Sequence, residues 1–168
     1  MGRGGAARAG TRPLVIVVSN ASPLIAGLDM GLGAIFEALF GKVFIPPAVR
    51  QEVFTNRPQP SWITEQSLTD SSASRLLQGR LGAGEREAIA LTLEVQADLL
   101  LMDELAGRRT ATSLGVRVMG TLGVLLRAKT QQLIPAVSPL LDQLVATGFY
   151  VDDELAEQVR RTAGEAVE

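Results

Sequence analysis

The chain has 168 residues, of which 46% are hydrophobic, and a formal net charge of -2 at pH 7. It contains neither His nor Cys, which excludes histidine-based nucleophilic triads, thiolate or imidazole zinc sites and disulfide frameworks. The acidic balance argues against a protein that coats nucleic acid through bulk charge, and the remaining oxygen donors limit metal chemistry to hard cations such as Mg²⁺ or Mn²⁺.

The chain opens with a basic, glycine-rich stretch before its first apolar run. Residues 1–13 carry too little apolar surface to offset the entropy lost on ordering, so we predict a disordered tail or a mis-assigned gene start. No apolar run in the sequence approaches the roughly 20 residues that span a bilayer, and no secretory core follows the basic start. We therefore expect a cytoplasmic protein with no membrane partner.

Polar side chains follow two apolar runs at the points where these runs stop. Residues 15–18 lead into Ser19 and Asn20 and then into a helix, and residues 99–102 end in the same way on Asp103. Ligands of α/β proteins usually bind beyond the carboxyl ends of the strands. The two polar turns are therefore predicted to contribute to one shared site.

Helices and short strands alternate between these two runs. The pattern predicts a helix over residues 32–40, a strand over 42–45 and a helix that opens at Pro47, which places Glu52 in its second turn. A strand over 62–64, a helix over 67–78 and a strong helix over 85–94 follow, and Glu85 lies in the first turn of the last.

The same alternation continues after Asp103. It predicts a helix through Leu114, a strand over 116–119, a helix from 120 to 129, a helix from Pro135 to 145 and a last helix capped by Asp152. Strands alternating with helices indicate an α/β domain with a parallel sheet and helices on both faces. We place this domain at residues 14–150, followed by a segment, 151–168, whose helix packs on the core or on a second copy.

Four oxygen-bearing residues lie where a strand passes into a helix, or in the opening turns of that helix: Asn20, Glu52, Glu85 and Asp103. Two unit charges 4 Å apart repel by about 4 kcal/mol at an effective dielectric of 20, so converging carboxylates favour a bound cation. Such a cation can activate water and polarise a phosphoryl oxygen. Spacing alone leaves open the alternative that Glu52 and Glu85 only complement helix dipoles.

Several neighbouring residues have weaker signals. Arg86, Arg108 and Arg109 are candidates for binding RNA phosphates, and a solvated surface explains them equally well. The segment 120–123 carries Thr121 and could hold a phosphate at a helix start. Two further acids, Glu87 and Glu104, adjoin the main set and could substitute for its members, although residues so close in a helix face different sides.

Five segments, taken in order, resemble the PIN-domain nucleases, most closely the short prokaryotic VapC-like proteins of toxin-antitoxin pairs: residues 18–25, 45–52, 84–91, 100–104 and 120–125. The resemblance implies a three-layer α/β/α sandwich around a central parallel sheet, and Mg²⁺- or Mn²⁺-dependent hydrolysis of RNA by activated water. It implies catalytic roles for Asn20, Glu52, Glu85 and Asp103, metal ligation by Asn20, Glu85 and Asp103, support of Asn20 by the hydroxyl of Ser22, and a polar position near the metal at Thr121. With the arginine candidates added, we expect the substrate-binding residues to be Ser22, Arg86, Arg108 and Thr121.

The chain departs from this pattern at Asn20, where the family usually has Asp. An amide oxygen can ligate a metal but brings no charge, so we expect weakened activity that an Asn20→Asp substitution raises. The alternative is a catalytically impaired module that binds RNA or protein. The resemblance also implies a small antitoxin as partner and a homodimer. A receiver-like signalling domain is disfavoured, because it needs two adjacent acids after the first strand.

Overall fold

The computed structural model describes residues 15–166 of the chain. Five strands form one sheet in which every neighbouring pair is parallel, in the order β3-β2-β1-β4-β5. The strands are β1 (Val17–Ser19), β2 (Val43–Ile45), β3 (Ile63–Glu65), β4 (Leu99–Leu101) and β5 (Val118–Met119).

Helices connect the strands and cover both faces of the sheet, which confirms the predicted α/β/α sandwich. Parallel strands need such crossover connections, because a tight turn can only join antiparallel neighbours. The helices are α1 (Ala21–Asp29), α2 (Gly33–Phe40), α3 (Pro47–Phe54), α4 (Ser72–Leu76), α5 (Ala83–Glu94), α6 (Leu105–Ser113), α7 (Thr121–Thr130), α8 (Ser138–Ala146) and α9 (Asp153–Thr162).

The centre of the sheet is fully buried because helices cover it from both sides. All residues of β1 and β4 are buried, and Leu100 and Leu101 have no exposed surface. The chain runs from β1 to β2 and β3 on one side and then returns to place β4 on the other side of β1. The gap beyond the carboxyl ends of β1 and β4 is therefore the topological switch point, where ligands of such sheets bind.

A glycine in α6 sets how closely this helix approaches the sheet. A Cβ on Gly107 would lie 2.3 Å from Sδ of Met102, which directly follows β4 and is fully buried. No larger residue fits there without displacing one of the two elements. The close approach fixes the start of α6, and with it the turn that carries Asp103 and Glu104, at the edge of the sheet.

Two helices are shorter than the sequence predicts. The helix predicted over 67–78 is confined to α4, because the N–H groups of Thr69 and Asp70 donate instead to the carboxylate of Glu94. The helix predicted from Pro135 begins at Ser138, because the N–H groups before it donate to Glu165. In both places a distant carboxylate provides acceptors that local sequence patterns do not reveal.

The carboxyl-terminal segment packs on the domain through α9. Asp152 caps this helix by accepting the N–H of Leu155 at 2.7 Å, and Val159 is buried where α9 meets α7. The tail predicted at residues 1–13 lies outside the described part of the chain. No helix within residues 15–166 has the length and apolar character that crossing a membrane requires.

Candidate functional site

Asn20 lies at the centre of the site, directly after β1. It is only 3% exposed, and its backbone N–H donates to the carbonyl of Leu101 in the neighbouring strand. The side chain does not cap α1. Its Nδ2 donates to Oε2 of Glu104 at 3.1 Å, whereas Oδ1 has no hydrogen-bond partner. Because an ionised carboxylate only accepts, the amide must turn its nitrogen to Glu104 and its oxygen away from it.

Glu104 is the residue that holds this amide, and it also contacts α1. The hydroxyl of Ser22 donates to Oε1 of Glu104, so one carboxylate oxygen accepts from the residue before α1 and the other from the first turn of α1. From sequence alone Glu104 is only a neighbour of Asp103. It precedes α6 and has an extended backbone, with φ -62° and ψ 129°. The rule that close neighbours in a helix face different sides therefore does not apply to Glu104. An acid directly after Asp103 at the switch point is the signal that identifies it.

Glu52 comes to the other side of Asn20 across a glycine. A Cβ on Gly84 would lie 3.2 Å from Oε2 of Glu52 and 3.3 Å from Oδ1 of Asn20. The two oxygens therefore border the same small space, which the absent side chain of Gly84 leaves open. Gly84 occupies the first turn of α5, and its role is visible only once α3 and α5 are packed together.

The carboxylates around this space influence one another. Partial burial, followed by the negative charges of Glu104 and Glu85, raises the pKa of Glu52 above its ordinary value of 4.5. Glu85 itself accepts the N–H of Gly82 at 3.1 Å, which is the helix-start role that the sequence left open. Glu87 is used elsewhere, because its carboxylate accepts the N–H of Ala48 at the start of α3.

Asp103 follows β4 and is held by Thr121. Its two carboxylate oxygens accept the N–H and the hydroxyl of Thr121, each at 2.7 Å. Burial raises the pKa of Asp103, and the hydrogen bonds from Thr121 oppose this increase. The negative charge of Glu104 raises this pKa further, whereas the positive charge of Arg108 lowers it. Thr121 is 1% exposed. Its hydroxyl therefore positions Asp103, and its place among the substrate-binding residues stays a prediction.

Two of the three arginines named as phosphate candidates differ in their surroundings. Arg86 donates to the carbonyl of Leu81 at 3.3 Å, and its Nε is buried without a partner among residues 15–166. Arg108 donates to the carbonyl of Met102 at 3.4 Å, and its Nη1 lies where a Cβ on Gly120 would clash with it. Arg108 thus lies beside Asp103, whereas Arg86 is directed at its own loop.

A cavity of about 620 Å³ opens beside Asp103. Its wall includes the guanidinium of Arg108, and Tyr150 at its rim is 86% exposed. A cation and a solvent-exposed aromatic ring next to the acidic residues are the groups that contact the backbone and the bases of single-stranded nucleic acid. The sequence gives no sign of this cavity, because Tyr150 is remote from every motif.

The acidic residues do not form a complete metal site by themselves. Within residues 15–166, no three His, Cys, Asp or Glu side chains are arranged so that they could hold a metal ion. Asp103 is turned to Thr121 and Glu85 to Gly82. The structure instead brings the amide of Asn20 next to Glu52, and an unpartnered buried oxygen beside a carboxylate is a donor pair that suits a hard cation.

Comparison with known proteins gives one match. A family model described as a PIN domain matches residues 16–165, a range that contains all five strands and every residue of the site. No curated protein and no solved structure gives a significant match to the chain.

Proposed function

Because the chain belongs to the PIN-domain family, we propose that it is a Mg²⁺- or Mn²⁺-dependent endoribonuclease. PIN domains are generally nucleases, and they generally use divalent metals. The family match confirms the resemblance deduced from the five sequence segments, whereas the VapC-like subgroup remains a prediction. The choice of RNA as substrate and of these two ions belongs to the proposal.

One observation carries the proposal: the buried Oδ1 of Asn20 lacks a partner and borders the same space as Oε2 of Glu52. A buried polar atom without a hydrogen bond is unfavourable, and a ligand that supplies the missing contact removes this penalty. Asn20 and Glu52 would hold the cation, with Glu85 and Asp103 as the further ligands that the family resemblance implies. A divalent cation at this position supplies an activated water and offsets the charge of a phosphodiester.

The protein's own side chains would share the remaining tasks. Partial burial and the charges of Glu104 and Glu85 raise the pKa of Glu52, so its carboxylate would be a better acceptor for the proton of an attacking water than an ordinary Glu. Asp103 is held in one orientation by its two hydrogen bonds from Thr121. Arg108 would contact a phosphate of the RNA backbone, and Tyr150 would stack on a base in the adjoining cavity.

Cleavage of a fluorescently labelled RNA tests the proposal directly. The native protein should cut the RNA with Mn²⁺ or Mg²⁺ and not with EDTA, and Asp103→Asn or Glu52→Gln should lower the rate by at least 100-fold. Glu94→Gln is the matched control, because the carboxylate of Glu94, like that of Asp103, accepts backbone N–H groups, but it lies at the far end of α5. A protein that neither binds nor cuts RNA would contradict the proposal.

The second candidate is a PIN-fold binding module without catalysis. It is favoured by the absence of a ready three-carboxylate metal cluster within residues 15–166 and by the uncharged residue at position 20. The same experiment separates the two candidates. If the native protein, in which Arg108 and Tyr150 are intact, binds the RNA but does not cut it at any metal concentration, the result supports the binding module.

A small antitoxin-like partner and a homodimer complete the proposal. They follow from the family resemblance, and exposed apolar side chains near the cavity, Leu105 and Leu155, offer a surface for either. Light scattering on the purified chain would reveal a dimer. A toxin should arrest growth of a bacterial host when expressed alone, and the Asp103→Asn variant should not.

A further inference from the structure

Glu104 and Asn20 form a pair whose joint role goes beyond the residues assigned above. We infer that Glu104 is a positioning residue that fixes the amide of Asn20 with its oxygen toward Glu52, and that it supplies the negative charge that position 20 lacks. This inference rests on the proposed function, since it concerns the cation that the site would bind.

The orientation of the amide depends on Glu104. An Asn side chain presents an acceptor on one side and two donors on the other. If the amide of Asn20 rotated by half a turn, its NH₂ group would face Glu52 and no oxygen would be available there. The acceptor Oε2 of Glu104, 3.1 Å from Nδ2, prevents this rotation.

Glu104 is itself held in place from α1. The hydroxyl of Ser22 donates to its second oxygen, so both oxygens of the carboxylate are held by donors two residues apart in the chain. Groups that orient a metal ligand in this way commonly change metal affinity 10- to 100-fold when they are removed. Ser22, Glu104 and Asn20 therefore act as a chain that ends at the unpartnered oxygen.

The charge of Glu104 also reaches the site. Its Oε2 lies 3.1 Å from Nδ2 of Asn20, so the negative charge lies against the amide whose oxygen would bind the cation. An Asp at position 20 would place a second carboxylate against Glu104 with no donor between them, a contact that is unfavourable without a cation. The expectation that Asn20→Asp raises activity stays a prediction, and the pair adds that the metal-free variant should be less stable than the native protein.

A double-mutant cycle tests the pair through Mn²⁺ binding to the full chain without RNA, measured by electron paramagnetic resonance. Glu104→Gln should weaken Mn²⁺ binding at least 10-fold, and Glu104→Gln with Asn20→Asp should return to within threefold of native. Asn20→Asp alone should lower the melting temperature of the metal-free protein, and adding Glu104→Gln should restore it. Glu94→Gln, with the same change of charge, should bind Mn²⁺ as the native protein does.

The results that overturn the inference are distinct from those that overturn the proposed function. If Glu104→Gln binds Mn²⁺ within twofold of native, or the double variant binds no better than Glu104→Gln, the proposed role of Glu104 toward Asn20 is refuted. The proposed nuclease function is not affected by either result. If the native chain binds no Mn²⁺ at millimolar concentration, both fail. Should Glu104→Gln not fold, Ser22→Ala decides: it leaves all charges in place and should weaken binding two- to fivefold, and unchanged binding refutes the inference.

Discussion

Replacing Gly84 by Ala should separate the stability of the fold from the function of the site. The new methyl group would lie 3.2 Å from Oε2 of Glu52, 3.3 Å from Oδ1 of Asn20 and 3.5 Å from Cγ2 of Val49. Both oxygens must then retreat by a few tenths of an ångström. Turning a side chain about 30° away from its preferred rotamer requires about 0.5–1.5 kcal/mol. A shift of a few tenths of an ångström needs the lower part of this range, about 0.5–1 kcal/mol for each side chain, so the two together lose about 1–2 kcal/mol of cation binding.

The same substitution favours the helix. Gly84 lies in the first turn of α5, and Ala is more favourable than Gly in a helix by up to about 1 kcal/mol. We expect the free energy of unfolding to stay unchanged or to rise by less than about 1 kcal/mol. Mn²⁺ affinity should fall about 5- to 30-fold, the equivalent of the 1–2 kcal/mol above.

Urea unfolding without metal and Mn²⁺ titration of the folded protein measure the two quantities. Gly33→Ala is the matched control, because Gly33 opens α2 and its Cβ would meet Leu28 only at an ordinary 3.5 Å. That variant should bind Mn²⁺ as the native protein does. If Gly84→Ala binds Mn²⁺ within twofold of native, or loses more than about 2 kcal/mol of stability, the space beside Gly84 is not the cation site.

Three further predictions concern pH, the carboxyl terminus and RNA. Because the pKa of Glu52 is raised on folding, this residue lowers stability as pH rises from its ordinary pKa of 4.5 through the raised value. Glu52→Gln should therefore gain stability relative to native between pH 4 and 7 in urea melts, and equal curves would refute the raised pKa of Glu52. Burial raises the pKa of Glu165, but the N–H groups of Val137 and Ser138 together with Lys129 outweigh it and lower this pKa. Glu165→Ala should lower the free energy of unfolding by about 1 kcal/mol at pH 7, as the loss of a helix cap does. The difference from native should shrink as pH falls through the lowered pKa of Glu165, and an unchanged melt at pH 7 would contradict this. Tyr150→Ala should weaken metal-free RNA binding at least fivefold in fluorescence anisotropy, since stacking on one base contributes about 1–3 kcal/mol, whereas the equally exposed Leu76→Ala should not.

The strands and the main helices could be predicted because their signals are local. Short apolar runs that end in polar turns identify β1 and β4, and Pro47 correctly opens α3. The errors at α4 and α8 have one cause, which is that a carboxylate far along the chain binds their N–H groups. Local patterns carry no information about such partners.

The site could be predicted only in part, for a related reason. We predicted Asn20, Glu52 and Asp103 because each follows or soon follows a strand end. Glu104 and Gly84 act through contacts between elements, and neither role is visible before α1, α5 and α6 are packed. The pattern of residues 120–123 drew attention to Thr121, and only the structure shows that its hydroxyl donates to Asp103.

The strand order has a consequence for how the protein is made. Asn20 and Glu52 belong to the wing of β1, β2 and β3, whereas Asp103 and Glu104 belong to the wing of β4 and β5, which is synthesised later. A nascent polypeptide that has emerged only as far as α5 would expose Asn20 with no carboxylate to orient it. The proposed site for RNA cleavage would thus be complete only after both parts of the sheet, β1–β3 and β4–β5, have left the ribosomal exit tunnel and packed together.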